Sequence, residues 1–236
     1  MNYIEVETYE ELSEMAAKII AEHVNIKPES VLGLATGSTP LGTYECIANM
    51  VRENSTDFSK VTSVNLDEYV GLSAEHHQSY RYFMDVNLFD KINIKRERTF
   101  VPNGCAVDIK KECEEYDRRI EDLGGIDIQL LGIGLDGHIG FNEPDDVFTK
   151  ETHQVELDPS TIDANSRFFS RREDVPRKAI TMGMGAIMNS KKVLLIANGE
   201  GKRDIVYTAF FGPITPAVPA SILQLHQDVT VIYSKK

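Results

Sequence analysis

The chain has 236 residues, 42% of them hydrophobic and 26% charged, which fits one large α/β domain or two small ones with a sizeable core. Its 25 basic and 37 acidic residues leave a net charge of −12, which argues against nucleic acid and anionic membrane surfaces as partners, since both need basic patches. No apolar run approaches the roughly 20 residues of a membrane span, and the acidic N-terminus shows no signal-peptide pattern. Cys46, Cys105 and Cys113 lack CxxC spacing and are expected to be reduced thiols in a cytoplasmic protein.

In chain order, residues 8–23 predict a helix with Thr8 and Glu11 as its capping box and Leu12, Met15, Ala16, Ile19 and Ile20 as its apolar stripe. Residues 31–35 predict a short strand that ends in Thr36-Gly37-Ser38-Thr39-Pro40. Thr39 is expected to cap the following helix, with Pro40 at its first position. A second strand is predicted over 61–66, with Asp67-Glu68-Tyr69 at its end, followed by helices near 79–90 and 108–123. Residues 126–133 form another apolar strand that runs into Gly134-Leu-Asp136-Gly137-His138-Ile-Gly140-Phe-Asn-Glu143-Pro144. The polar stretch 145–178 predicts a mobile flap or insertion, and further strands are expected at 192–197 and 229–233.

Uniformly apolar strands that alternate with helices indicate an α/β, Rossmann-like fold: a mostly parallel sheet with helices on both faces, here a single domain over 1–236. Ligands of such sheets bind outside the C-terminal strand ends. The segments that start at 36, 67, 134 and 198 all follow predicted strands, so they are expected on one edge.

Each segment carries its own chemistry. The 36–40 loop pairs a permissive glycine with hydroxyls and N–H groups at a helix N-terminus, which favours an anion but matches no Walker A pattern. In Gly199-Glu200-Gly201-Lys202, a cation in the first helical turn opposes the helix dipole unless an anion sits beside it. Asp67 or Glu68 stands where an α/β enzyme places a base, although isolated loop acids are more often solvated. The run from Gly132 to Gly137 reads as GxGxxG, yet Gly140 and Pro144 leave little room for the helix a dinucleotide needs. A metal site from Asp136, His138 and Glu143 lacks further His or Cys at ligand spacing. The third alternative for this run is a metal-free acid–base cluster in which carboxylates orient His138.

Four motifs together are specific. Leu34-Ala-Thr-Gly-Ser-Thr-Pro40, Asn65-Leu-Asp-Glu-Tyr69, Gly134-Leu-Asp-Gly-His-Ile-Gly-Phe-Asn-Glu-Pro144 and Asn165-Ser-Arg-Phe-Phe169 resemble the glucosamine-6-phosphate deaminases in order and spacing, over essentially the whole chain. The resemblance implies conversion of glucosamine 6-phosphate to fructose 6-phosphate and ammonia, with no nucleotide, redox cofactor or metal. By matching positions it implies that Asp67 moves a proton between C2 and C1 through an enediol-type intermediate. His138, held by Asp136 and Glu143, would open the pyranose ring, and Thr36, Gly37, Ser38, Thr39, Arg167 and Lys202 would hold the phosphate.

Longer members of that family continue into a C-terminal extension tied to hexamers and allosteric activation. A chain that stops at Lys236 is therefore expected to be of the short, non-allosteric type, a monomer or small homo-oligomer acting on a sugar phosphate. The rivals are 6-phosphogluconolactonase, which would release acid and no ammonia, and a sugar-phosphate sensor, which would need an output domain.

Overall fold

The computed structural model describes residues 1–236 except 160, 161, 164, 165, 167, 168 and 170. Its elements in chain order are β1 (Asn2–Val6), α1 (Tyr9–Ile26), β2 (Val31–Leu34), α2 (Leu41–Arg52), β3 (Thr62–Asn65), β4 (Asp67–Tyr69) and α3 (Tyr80–Asn87). There follow β5 (Thr99–Phe100), α4 (Ile109–Asp122), β6 (Ile128–Leu131), β7 (His153–Glu156), β8 (Lys178–Thr181), α5 (Met184–Met188), β9 (Lys192–Asn198), α6 (Arg203–Phe211) and β10 (Val229–Ser234). Seven strands pair in the order β1-β10-β9-β6-β2-β3-β5. Every pairing in that sheet is parallel. The Rossmann-like α/β architecture expected from the apolar strands is the one found.

Local chemistry explains the element ends. Thr8 accepts the N–H of Glu11 and so caps α1, while the Glu11 carboxylate reaches back to the N–H of Glu7. Ser79 and Asp108 cap α3 and α4 in the same way. Thr39 does not cap α2: Pro40 occupies the cap position, and the Thr39 hydroxyl instead donates to Asn198 Oδ1 at 3.0 Å. That bond ties the loop after β2 to the end of β9, so a tertiary contact has overridden the local capping preference.

Alternate strand residues build the two faces. Leu32, Leu34, Ile128, Leu130, Leu194 and Ile196 pack under α1, α2 and α3, and Val31, Val64, Leu131, Val193 and Leu195 pack under α4, α5 and α6. Burial of this kind stabilises by about 25 cal/mol per Å² of apolar surface. At the N-terminal strand ends, the buried Asp127 accepts from Lys27 and Lys191 at 2.6–2.7 Å and from the N–H of Val31 at 2.8 Å. Structural ionic bonds therefore occupy the edge opposite the four candidate segments.

A second, antiparallel sheet, β4-β8-β7, was not expected from the sequence. It incorporates Asp67–Tyr69 and part of the 145–178 stretch: Asp67 lies opposite Thr181, and Thr181 opposite His153.

Candidate active site

Strand order reverses beside β2: the chain adds β3 and β5 on one side and β6, β9, β10 and β1 on the other. A switch point of this kind opens a crevice at the C-terminal strand ends. The loops after β2 and β6 flank it, and the loop after β9 reaches in to both. Besides the Thr39–Asn198 bond, the Lys202 ammonium donates to the carbonyl of Ile133 at 2.6 Å, just past the end of β6.

The loop after β2 is shaped to meet an anion. Gly37 has φ +98°, a left-handed conformation that a side chain would strain. The phenol of Tyr9, on α1, lies 3.1 and 2.9 Å from the carbonyls of Ser38 and Thr39 and accepts the N–H of Gly42 at 2.8 Å. Among the described residues, the N–H groups of Gly37, Ser38 and Thr39 have no hydrogen-bond acceptor. Donors free at a helix N-terminus are what a phosphate oxygen needs. Lys202 sits at the cap position of α6 rather than inside its first turn. Burial lowers its pKa and the nearby Asp136 opposes that shift, so the cation is already partly served by the protein.

Asp67 and Glu68 are both buried, not solvated. Their neighbours separate their roles. The Glu68 carboxylate accepts three backbone N–H groups, from Tyr69 at 2.8 Å, Tyr80 at 2.9 Å and Arg81 at 2.9 Å. Two of these belong to the first turn of α3, so Glu68 anchors that helix end. Burial pushes its carboxyl up to about 7, and the three N–H bonds act against that rise. Asp67 is pushed higher, to about 8, chiefly by desolvation and then by the Glu68 charge. Of the two acids, Asp67 is the one whose carboxylate is left for chemistry.

The Gly134–Glu143 loop forms tight turns with a bridge between Ile139 and Asn142 and contains no helix, which removes the dinucleotide alternative. His138 Nδ1 approaches Asp136 Oδ1 to 2.7 Å, off the direction of a straight hydrogen bond, and the His138 N–H donates to the same oxygen at 3.1 Å. Burial would raise the Asp136 carboxyl, but the contacts to His138 outweigh it and hold it down at about 2. An ionised partner thus faces one side of the ring at any working pH. Glu143 is half-buried and accepts the N–H of Asp158 at 3.0 Å. Asp136 and His138 are therefore brought together as expected, and the bond drawn from Glu143 runs into the 145–178 stretch. Arg167 lies outside the described residues, as do Asn165 and Phe168 of the same motif.

Gly134 makes room for the imidazole. A Cβ there would lie 2.2 Å from Nδ1 and 2.3 Å from Cε1 of His138, and 2.6 Å from Asp136 Oδ1. Gly134→Ala is accordingly expected to swing the ring away and cut kcat by about 10²-fold while the thermal midpoint changes little. Steady-state kinetics with a melting curve test this, and a wild-type kcat would contradict it.

A cavity of about 360 Å³ lies on the Glu143 side, between Phe141, Asn142, His153, Glu156 and Pro219. None of Asp67, His138 or Lys202 lines it, so the candidate site is the open crevice and not this hollow.

A buried high-pKa carboxylate, an Asp-paired imidazole and an anion-ready loop on one sheet edge define an α/β enzyme for acid–base chemistry on a small phosphorylated substrate. The chain belongs to the glucosamine-6-phosphate isomerase and 6-phosphogluconolactonase family, whose model matches residues 5–232. A glucosamine-6-phosphate deaminase of Lachnoclostridium phytofermentans is 60% identical over 232 residues, covering 98% of each chain. One from Clostridium perfringens is 56% identical over 98% of this chain and 96% of its own. A solved monomeric glucosamine-6-phosphate deaminase of the NagB superfamily superposes with a TM-score of 0.97 at 46% identity, over 99% of this chain and 97% of that one. A 6-phosphogluconolactonase from Thermotoga maritima shares the fold, with a TM-score of 0.76 at 20% identity over 100% and 99% of the two chains.

Sequence reasoning had not found Tyr9, Glu68 as a helix anchor, or Thr181. Thr8 carries a visible capping signal, but these three residues act across the fold and carry none.

Proposed function

We propose that this protein deaminates glucosamine 6-phosphate to fructose 6-phosphate and ammonia. The observation that carries the reading is Asp67, a carboxylate buried at the C-terminal strand edge, pushed up to about 8 by that burial, and not tied up by the helix end that engages Glu68. The family membership and the named relatives support the substrate.

In this mechanism the phosphate docks on Gly37, Ser38 and Thr39 and on Lys202, with Thr36 and Arg167 completing the clamp. Fixing that end places C1 and C2 of the sugar beside Asp67. His138, oriented by the Asp136 carboxylate, returns a proton to the ring oxygen and opens the pyranose. Asp67 then removes the C2 proton and delivers it to C1, its desolvation making the carboxylate a stronger base than one in water. Delivery of that proton to C1 converts the enediol-type intermediate into an imine at C2; water adds to the C2=N carbon, and the C–N bond breaks to release ammonia and leave the C2 ketone of fructose 6-phosphate. Glu143 bonds to the Asp158 backbone and so links this loop to the 145–178 stretch, read here as the cover over the substrate. We read the chain as one such domain, cytoplasmic, acting as a monomer or small homo-oligomer.

Incubation of the purified protein with glucosamine 6-phosphate is expected to give ammonia and fructose 6-phosphate in equal amounts, and 6-phosphogluconolactone is expected to be left intact. Acid release from the lactone without ammonia from the amino sugar would transfer the assignment to the lactonase branch.

Lys202→Ala is expected to raise KM for glucosamine 6-phosphate by about 10–10²-fold with kcat within a few-fold, as loss of one charged phosphate contact implies. An unchanged KM would remove Lys202 from the phosphate site. Because Lys202 also holds the Ile133 carbonyl, a small fall in thermal midpoint accompanies the change.

A further inference from the structure

Thr181 stands outside every motif that carries the functional reading, yet it touches both halves of the candidate site. It is fully buried in β8, directly opposite Asp67 in the antiparallel ladder, and opposed residues project to the same face of a sheet. Its hydroxyl accepts the N–H of Phe141 at 3.0 Å, from the loop that carries His138. A Cβ built on Gly140 would lie 2.9 Å from Thr181 Oγ1, 3.5 Å from Asp67 Oδ2 and 3.6 Å from Asn142 Nδ2, so these three groups surround one glycine. That glycine has φ +59°, a backbone the loop needs to pass this closely.

Asn142, two residues beyond Gly140, doubles the tether. Asn142 Nδ2 donates to the carbonyls of Ile139 at 3.0 Å and Met182 at 2.9 Å, and the Met182 N–H donates to Leu66, beside Asp67, at 2.6 Å. Thr181 at the end of β8 and Met182 just after it thus join the His138 loop to the strand end that bears Asp67. A hydroxyl that accepts from Phe141 still has one hydrogen to give.

We propose that Thr181 is a positioning residue for the deamination: it fixes the His138 loop against Asp67 through Phe141, and its hydroxyl hydrogen, which makes no bond to Asp67 in this structure, turns to the Asp67 carboxylate when that group ionises. The inference rests on the functional reading above. Asp67 is also faced by Glu68 from its own strand and by the phenols of Tyr44, Tyr80 and Tyr116 from α2, α3 and α4, and His153 flanks Thr181 on β7. The Tyr44 and Tyr116 hydroxyls already donate to the carbonyls of Ala35 and Asn65, whereas the Thr181 hydroxyl, across the ladder from Asp67, still has its hydrogen to give.

The test compares Thr181→Val, which keeps the shape and removes the hydroxyl, with Thr181→Ser, which keeps the hydroxyl. Thr181→Val is expected to lower kcat at least about tenfold, with KM for glucosamine 6-phosphate within about twofold, and to move the acid limb of the kcat/KM profile to higher pH. Thr181→Ser should stay within about threefold of wild type with an unmoved limb. If Val prevents folding, Thr181→Ala gives the same readouts. A Val variant with wild-type kcat and limb overturns the positioning role while the deaminase reading stands. So does a Ser variant as impaired as the Val one, since the methyl group would then be what matters. Wild-type protein that releases no ammonia overturns both.

Discussion

Asp67→Asn is expected to lower kcat for glucosamine 6-phosphate by about 10²–10⁴-fold, the usual contribution of a positioned general base, with substrate binding largely retained. The same change should stabilise the fold. Burial, with the Glu68 charge beside it, pushes the Asp67 carboxyl up to about 8 in the folded chain from its ordinary 3.8. A raised carboxyl pKa means that the native state binds the proton more tightly than the unfolded state does. Its stabilising contribution is complete below about pH 4 and is lost as pH rises through 8. Asparagine keeps the shape without the charge, so the variant's advantage in thermal midpoint should grow from pH 4 to pH 8 and level off above. Melting curves across that range check the sign. A variant less stable than wild type at pH 8 would mean that Asp67 is a structural acid and not a strained catalytic one.

Glu68→Ala should have the largest effect on stability. It removes the acceptor of three N–H groups, two of them at the start of α3, and leaves buried donors unpaired. A loss of about 3 kcal/mol or more is expected, or roughly 6–12 °C in a chain of this size. Turnover should fall as well, since β4 carries Asp67 next to it. Chemical denaturation of the variant tests the first part. A shift under 1 kcal/mol (about 2–4 °C) would show that water replaces the carboxylate and that Glu68 does not hold the helix.

The sequence exposed what local pattern encodes. Val31–Leu34, Ile128–Leu131 and Lys192–Asn198 are buried on both faces and read as apolar runs, so the parallel sheet was legible, and Thr8 with Glu11 marked the start of the first helix. The β4-β8-β7 sheet was not legible. Its strands are three or four residues long, and His153–Glu156 alternates between half-buried and exposed positions without an apolar run. The site divides the same way. Asp136 and His138 are two residues apart, and their pairing follows from a short turn. The division of labour between Asp67 and Glu68 depends on α3, twelve positions further on, whose N-terminus turns back to Glu68. The loop after β2 is braced by Tyr9, 29 and 30 residues from the carbonyls it faces. Such contacts belong to the tertiary fold and leave no periodicity.

In the proposed mechanism Asp67 carries the hydrogen from C2 to C1. Turnover in D2O, with the product's C1 followed by NMR, tests it most directly. Wild type should yield fructose 6-phosphate with at most one solvent-derived deuterium at C1, on one face, and Asp67→Asn should yield no labelled product on the same time scale. Incorporation by Asp67→Asn at the wild-type rate would contradict the account.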